Sequence, residues 1–194
     1  MIQHQRRPKF VALFLAMAFS FATWAEEAKD YQLLFQAGSY SFTANRPNRA
    51  AEEVQGFGSY SLSFAIPFWQ RFSVSAGMTL VSSQGFGGDT ATGFDLSSRY
   101  FPLSSSGYQK INDGTLELSY SSVWRPYVGI AFRQRQFLTT LTTTYVGPGV
   151  VAGLDWLFSD KAFANFEIRY DLLTGQSEAT ATQYNILFGV GLHL

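Results

Sequence analysis

Gln183-Tyr184-Asn185-Ile186-Leu187-Phe188-Gly189-Val190-Gly191-Leu192-His193-Leu194 is the stretch that decides the fold. Tyr184, Ile186, Phe188, Val190, Leu192 and Leu194 alternate with Gln183, Asn185, Leu187, Gly189, Gly191 and His193. A period of two is the signature of a β-strand whose faces meet two different environments. The apolar stripe is too continuous and too aromatic for water, so it meets either a protein core or lipid.

The same alternation recurs upstream, between turn signals. Tyr60, Leu62, Phe64 and Ile66 alternate with serines and Ala65, and Phe72, Val74, Ala76, Met78 and Leu80 alternate with Ser73, Ser75, Gly77 and Thr79. Pro67-Phe68-Trp69-Gln70 reads as the turn between these two strands. Phe94, Leu96 and Tyr100 alternate with Asp95, Ser97 and Arg99; Val128, Ile130 and Phe132 alternate with Tyr127, Gly129, Ala131 and Arg133. Residues 146–158 place Val150, Ala152, Leu154 and Trp156 on one face. After Ser159-Asp160-Lys161, Phe166, Ile168, Tyr170 and Leu172 oppose Asn165, Glu167, Arg169 and Asp171. A less regular strand over residues 31–42, whose facing the sequence leaves open, brings the number to eight.

Composition fits an exported all-β chain of one domain. The 194 residues include 17% aromatic and only 14% charged residues, 17 glycines and no cysteine. Residues 1–25 read as a signal peptide: Arg6, Arg7 and Lys9 precede an apolar run from Phe10, and Thr23-Trp24-Ala25 offers a small-residue cleavage site. The run is shorter than the ~20 apolar residues that span a bilayer. Cleavage leaves residues 26–194 with 11 Lys plus Arg against 14 Asp plus Glu, a net charge of about −3. That balance points to no nucleic-acid partner. Without disulfides, the fold must be held by burial and hydrogen bonding, which a sheet closed on itself supplies.

Two all-β solutions share the pattern: a soluble barrel with its apolar face inward, and a membrane barrel with that face outward. An eight-stranded lumen is only wide enough to be filled by side chains. The apolar face carries most of the Phe, Tyr, Leu and Ile, too much for that space, whereas the other face is Ser, Gly, Ala and Thr with a few charges. The reading is therefore an all-β, eight-stranded antiparallel up-and-down transmembrane β-barrel. Trp69, Trp124 and Trp156 fall at one end and suit an interfacial girdle; Tyr170, Tyr145 and Phe94 are candidates for the opposite one.

Three segments carry a resemblance to a family: Ser98-Arg99-Tyr100-Phe101-Pro102, Trp124-Arg125-Pro126-Tyr127-Val128-Gly129, and the terminal strand. They are similar to small eight-stranded bacterial outer-membrane barrels such as the OmpA transmembrane domain, OmpX and OmpW. The resemblance implies residence in the outer membrane with its lipid as partner, and a terminal strand read by the barrel-assembly machinery. That strand usually ends in Phe in the family; here Leu194 is last, with Phe188 and Tyr184 upstream. Residues 103–123 depart from the short periplasmic turn of the family. Ile111-Asn112-Asp113-Gly114-Thr115 has hairpin turn chemistry, and its flanks are too short to cross a bilayer. The expectation is a periplasmic insert whose hairpin extends the fourth and fifth strands, in preference to a ten-stranded barrel. A plain extended turn is the simpler reading of that insert, and a site for a periplasmic protein the sharper one.

No catalytic, cofactor or metal set emerges. Small barrels that act on lipid A resemble this architecture but imply a catalytic histidine at the outer leaflet, whereas the single histidine after cleavage, His193, lies at the periplasmic end beside the terminus. One His and no Cys leave zinc without ligands. Gly85-Phe86-Gly87-Gly88 lacks the Lys and helix of a phosphate loop and reads as an extracellular loop. What remains is a lumen charge set of four bases and four acids: Asp95, Arg99, Arg133, Arg135, Asp155, Glu167, Arg169 and Asp171. Its bland reading is a self-neutralising network that fills the interior; the sharper one is a selective path for small solutes. The ranking is a structural or surface-interaction protein using a first loop over residues 43–55 with Arg46, Arg49, Glu52 and Glu53, then a narrow channel for small or apolar solutes, then a lipid-modifying enzyme.

Overall fold

In the computed structural model, residues 31–45, 51–82, 90–106, 109–112, 117–120, 122–138, 144–176 and 178–194 are described. The signal segment 1–25, Arg46, Arg49, residues 85–88 and the Asp113-Gly114 turn lie outside them. The alternating segments form β1 (Gln32–Asn45), β2 (Glu52–Trp69), β3 (Phe72–Ser82), β4 (Thr90–Tyr100), β7 (Trp124–Phe137), β8 (Thr144–Ser159), β9 (Ala162–Thr174) and β10 (Thr180–His193). They close into one antiparallel barrel in the order β1-β10-β9-β8-β7-β4-β3-β2. The seam is β1 against β10, paired from Gln32 opposite His193 to Asn45 opposite Thr180. The start of β1 and the end of β10 therefore share one end, the termini end, with the Gln70-Arg71 and Asp160-Lys161 turns and with the long β4-to-β7 connection; the remaining connections fall at the opposite end, the loop end.

Several local expectations are corrected. The turn after β2 is Gln70-Arg71, because the strand runs through Pro67, Phe68 and Trp69. The first loop does not span residues 43–55, since 43–45 belong to β1 and 52–55 to β2. The insert hairpin, β5 (Gln109–Asn112) with β6 (Glu117–Tyr120), is a two-stranded sheet of its own and does not extend the barrel strands.

The structure also settles the facing of β1. Leu34, Gln36, Tyr40 and Phe42 point into the lumen while Phe35 points out. A bulge explains the irregular neighbourhood: Gly38 pairs with Ser59 but Ser39 with Phe57, so Gly58 is the extra residue of β2. One extra residue reverses facing, so Ser59 is buried while Phe57, of the same parity, is 93% exposed.

The outer surface is an apolar belt, with Met78 and Ile130 each 70% exposed beside Leu62, Phe64, Val128, Phe132, Val150, Phe188 and Val190. At the termini end Trp124 and Trp156 stack with centroids 5.5 Å apart and planes 5° from parallel, and Trp69, Phe72 and Tyr100 form a second aromatic run. A contiguous belt of this size needs an apolar medium.

The lumen is bulkier than the sequence reading allowed, because Tyr40, Phe42, Phe101, Tyr127, Phe137, Tyr145 and Phe163 are all buried in it. Room comes from glycine. Arg99 lies opposite Gly129, Asp95 opposite Gly77, Arg135 opposite Gly93, Asp171 opposite Gly149, and Tyr127 and Glu167 flank Gly153. A methyl group on Gly153 would collide with the Tyr127 ring, and one on Gly191 with the Phe163 ring. Large side chains thus fold over glycines of the neighbouring strand, the large-over-small packing that a narrow barrel requires.

The charged lumen as candidate functional site

The alternation of β9 sets the lumen's layers. Phe163, Asn165, Glu167, Arg169, Asp171 and Leu173 point inward in sequence from the termini end to the loop end, and the other strands supply partners at each level. All eight charged residues assigned to the lumen by sequence lie in it, each with less than a tenth of its surface exposed.

They form one connected set. Asp95 accepts from Arg135 Nη1 at 2.5 Å, Arg169 Nη1 at 3.2 Å and Thr79 Oγ1 at 2.5 Å, with Arg133 Nε 3.6 Å away. Arg133 also pairs with Asp171, and Arg169 with Glu167. Glu167 Oε2 takes Arg99 Nη2 at 2.8 Å and the Tyr127 hydroxyl at 2.6 Å, while the Arg99 guanidinium lies 4.7 Å from the Tyr127 ring centre. Amides carry the set further: Arg169 Nη2 donates to Gln36 Oε1 at 2.6 Å, Gln36 Nε2 to Asn165 at 2.7 Å, and Asn165 Nδ2 to Asp155 at 2.7 Å.

One charge escaped the sequence reading. Arg125 is fully buried, 3.5 Å from Asp155 and 3.4 Å from His193 Nε2, with its guanidinium over the Phe101 and Phe163 rings. The signal was present, since two steps back from inward Tyr127 is Arg125. Gln36, Asn165 and Gln183 also belong to the network, and their sequence signal is an amide at an inward position and not a charge. Gln183 accepts from Arg135 Nε at 3.1 Å.

Both ends are covered. At the loop end Tyr40, Phe42, Phe137, Tyr145 and Leu173 form an apolar plug, in which Phe42 packs against Phe137 and Tyr145 at centroid distances of 4.8 and 5.4 Å. Tyr145 is therefore a lumen residue and not part of an outer girdle; Tyr170 and Phe94 do face outward. At the termini end residues 101–106 form a strap across the mouth. Ser106 donates from its amide to Gln70 O at 2.7 Å and from its hydroxyl to Trp69 O at 2.8 Å, and its carbonyl accepts from Gln32 at 2.9 Å. Phe101 is fully buried against Tyr127. Between these covers, a cavity under the apolar plug measures about 10 Å³, the size of a single water.

A closed eight-stranded antiparallel barrel with an apolar outside and a filled, charged inside is the architecture of the small bacterial outer-membrane proteins. Solved structures place the chain in that class of fold. Neisserial surface protein A aligns with a TM-score of 0.57 and 11% identity over 87% of this chain and 100% of its own. The outer-membrane protein OprG of Pseudomonas aeruginosa gives 0.54 and 11%, over 85% and 96%. The N-terminal β-barrel domain of OprF from the same organism gives 0.50 and 12%, over 86% and 100%. By sequence the chain matches no protein-family model and no curated protein. The likeness is one of fold.

Proposed function

We propose that the chain is a closed outer-membrane barrel that acts as a structural or surface-interaction element through its two ends and not through its lumen. The observation that carries this reading is the continuous filling of the interior, from the Phe42-Phe137-Tyr145 plug through the arginine and carboxylate layers to the Ser106 strap. The cavity of about 10 Å³ passes no solute, and a network in which nearly every charge has an opposite partner rigidifies the wall. The reading assigns the chain no catalytic step; His193 serves as a neighbour of Arg125 at the mouth.

The test is reconstitution of the mature chain into planar bilayers and liposomes. The expected result is no steady conductance and no solute uptake. Cells whose loop residues 46–51 and 139–143 are replaced by short Gly-Ser linkers should then differ from the parent in envelope integrity or surface binding. A stable current, or loop-replaced cells identical to the parent in both properties, would overturn the reading.

A further inference from the structure

The lipid-facing wall carries a dent. Ala76, on the outer face of β3, puts a methyl group where its neighbours Val74 and Met78 and its cross-strand partners Phe64 and Leu96 put larger side chains. A shallow apolar groove of about 280 Å³ opens there among Leu33, Leu62, Phe64, Ala76, Met78 and Phe94. It lies on the β2-β3 hairpin, whose Gln70-Arg71 turn is at the termini end. A strand rises about 3.4 Å per residue and tilts about 40° in such barrels, so Ala76 and Met78 lie roughly 13 and 18 Å deeper than Arg71. One leaflet's share of the hydrocarbon core is about 15 Å, so the groove lies toward the bilayer midplane, where the acyl chains of the leaflet at the termini end finish. The turn above it is positively charged. Arg71 is the sole charged residue of the stretch 61–82, and the stretch 96–106 adds only the lumen residue Arg99. Arg71 is exposed, with one long hydrogen bond of 3.4 Å to Pro102 O, whereas Lys161 in the β8-β9 turn follows Asp160 in the chain. Between charge and groove stand Trp69, 70% exposed, and Phe72, whose ring lies 4.9 Å from that of Tyr100; amphipathic rings of this kind sit at headgroup level.

From this juxtaposition we infer that the β2-β3 corner binds one anionic glycerophospholipid of the leaflet at the termini end, with its phosphate at Arg71, its glycerol region beside Trp69 and Tyr100, and one acyl chain in the groove at Ala76. An acyl chain gains nothing from the hydrophobic effect by leaving other chains for an apolar wall. Preference for one lipid therefore needs a shape that fits the chain together with a charge that holds the headgroup, and this hairpin aligns the two along one strand direction. A second barrel would dock through a broad face, on the order of 800 Å² per partner, and not through a groove that a single chain fills. The lipid would sit there whatever role the two ends serve.

The experiment refolds the mature chain into phosphatidylcholine nanodiscs holding a minor share of phosphatidylglycerol, releases it into mild detergent, and weighs the protein with its retained lipid by native mass spectrometry. The expected result is one phosphatidylglycerol kept per chain in preference to phosphatidylcholine. Arg71→Gln should cut the retained share roughly fivefold, the worth of one basic residue beside an anionic surface. Ala76→Phe fills the groove and should abolish retention, whereas Ala152→Phe, outward on β8, should leave it unchanged. Faster gel migration without heating checks that each variant is folded, and Arg71→Gln, which lies outside the strands, decides the matter if Ala76→Phe does not fold. No phosphatidylglycerol on the wild type, retention unmoved by Arg71→Gln or by folded Ala76→Phe, an equal loss in Ala152→Phe, or a dimer mass that Ala76→Phe abolishes would overturn the inference.

Discussion

Replacing Asp95 with Asn tests whether the lumen network stabilises the fold or merely occupies space. The side chain keeps its shape and loses its charge, so packing against Gly77 is preserved. Three guanidiniums stand around the position, Arg135 at 2.5 Å, Arg169 at 3.2 Å and Arg133 at 3.6 Å, and Asp95 is 7% exposed. Breaking a buried ion pair from one side costs about 3–5 kcal/mol, because the remaining charge stays buried without compensation. Among the described residues, five buried guanidiniums would then face three buried carboxylates instead of four, which places Asp95→Asn toward the upper part of that range. The assay is reversible urea unfolding of the mature chain in micelles, followed by tryptophan fluorescence and by the faster gel migration of the folded, unheated barrel. A second substitution separates charge from shape: with Arg135→Gln added, part of the loss should return, giving a coupling energy of about 1–3 kcal/mol between neighbouring sites. A loss below about 1 kcal/mol, the size expected for one neutral hydrogen bond, or no coupling with Arg135, would refute the claim that these charges are held by one another.

Other expectations follow from the packing and the ends. Gly153→Ala should destabilise the barrel by about 1–3 kcal/mol through overpacking against Tyr127, and Gly153→Ala combined with Tyr127→Leu should lose less than the two changes summed; urea midpoints decide. Phe101→Ala should cost about 3–5 kcal/mol as a buried aromatic truncation, whereas replacing residues 107–121 with a short linker should shift the midpoint by less than about 1 kcal/mol, since the β5-β6 sheet is separate from the barrel. In liposomes of bromine-labelled lipid, Trp69, Trp124 and Trp156 should be quenched most strongly by labels at one shallow depth; quenching equal at all depths would remove them from a common interface.

The wall of the barrel was legible because each strand keeps a strict period of two, and because filling an eight-stranded lumen leaves only one face for the bulky apolar residues. The apolar stripe does face outward, although the lumen also holds bulk. Aromatic residues do enter the lumen, but only where a neighbouring strand offers glycine, a relation across strands that no single segment displays. Tyr145 was misplaced by residue type when its parity with Gly147, Gly149 and Val151 already pointed inward. The facing of β1 was hidden because Ala37, Ser39 and Ser41 put small residues on the outer face, erasing the contrast between sides. The charged residues themselves could be collected from alternation. Their pairing could not, since Arg169 and Asp95 meet across the lumen from β9 and β4 although 74 positions apart in the chain. The strap was invisible for the same reason: residues 101–106 have no periodicity, and their place depends on carbonyls of Trp69 and Gln70 and on the Gln32 amide.

Folding large side chains over glycines of the next strand also bears on how such a barrel changes over generations. Tyr127 and Gly153 are neighbours in the wall but 26 positions apart in the chain, and neither can change size freely while the other stays fixed. The heritable unit of the interior is then the pair and not the residue, so a lineage can exchange which strand contributes bulk while the enclosed volume remains constant. Substitutions on the lipid side need only stay apolar, and can accumulate one at a time. Two surfaces of one strand would thus drift at different tempos, the outer by single steps and the inner by matched ones.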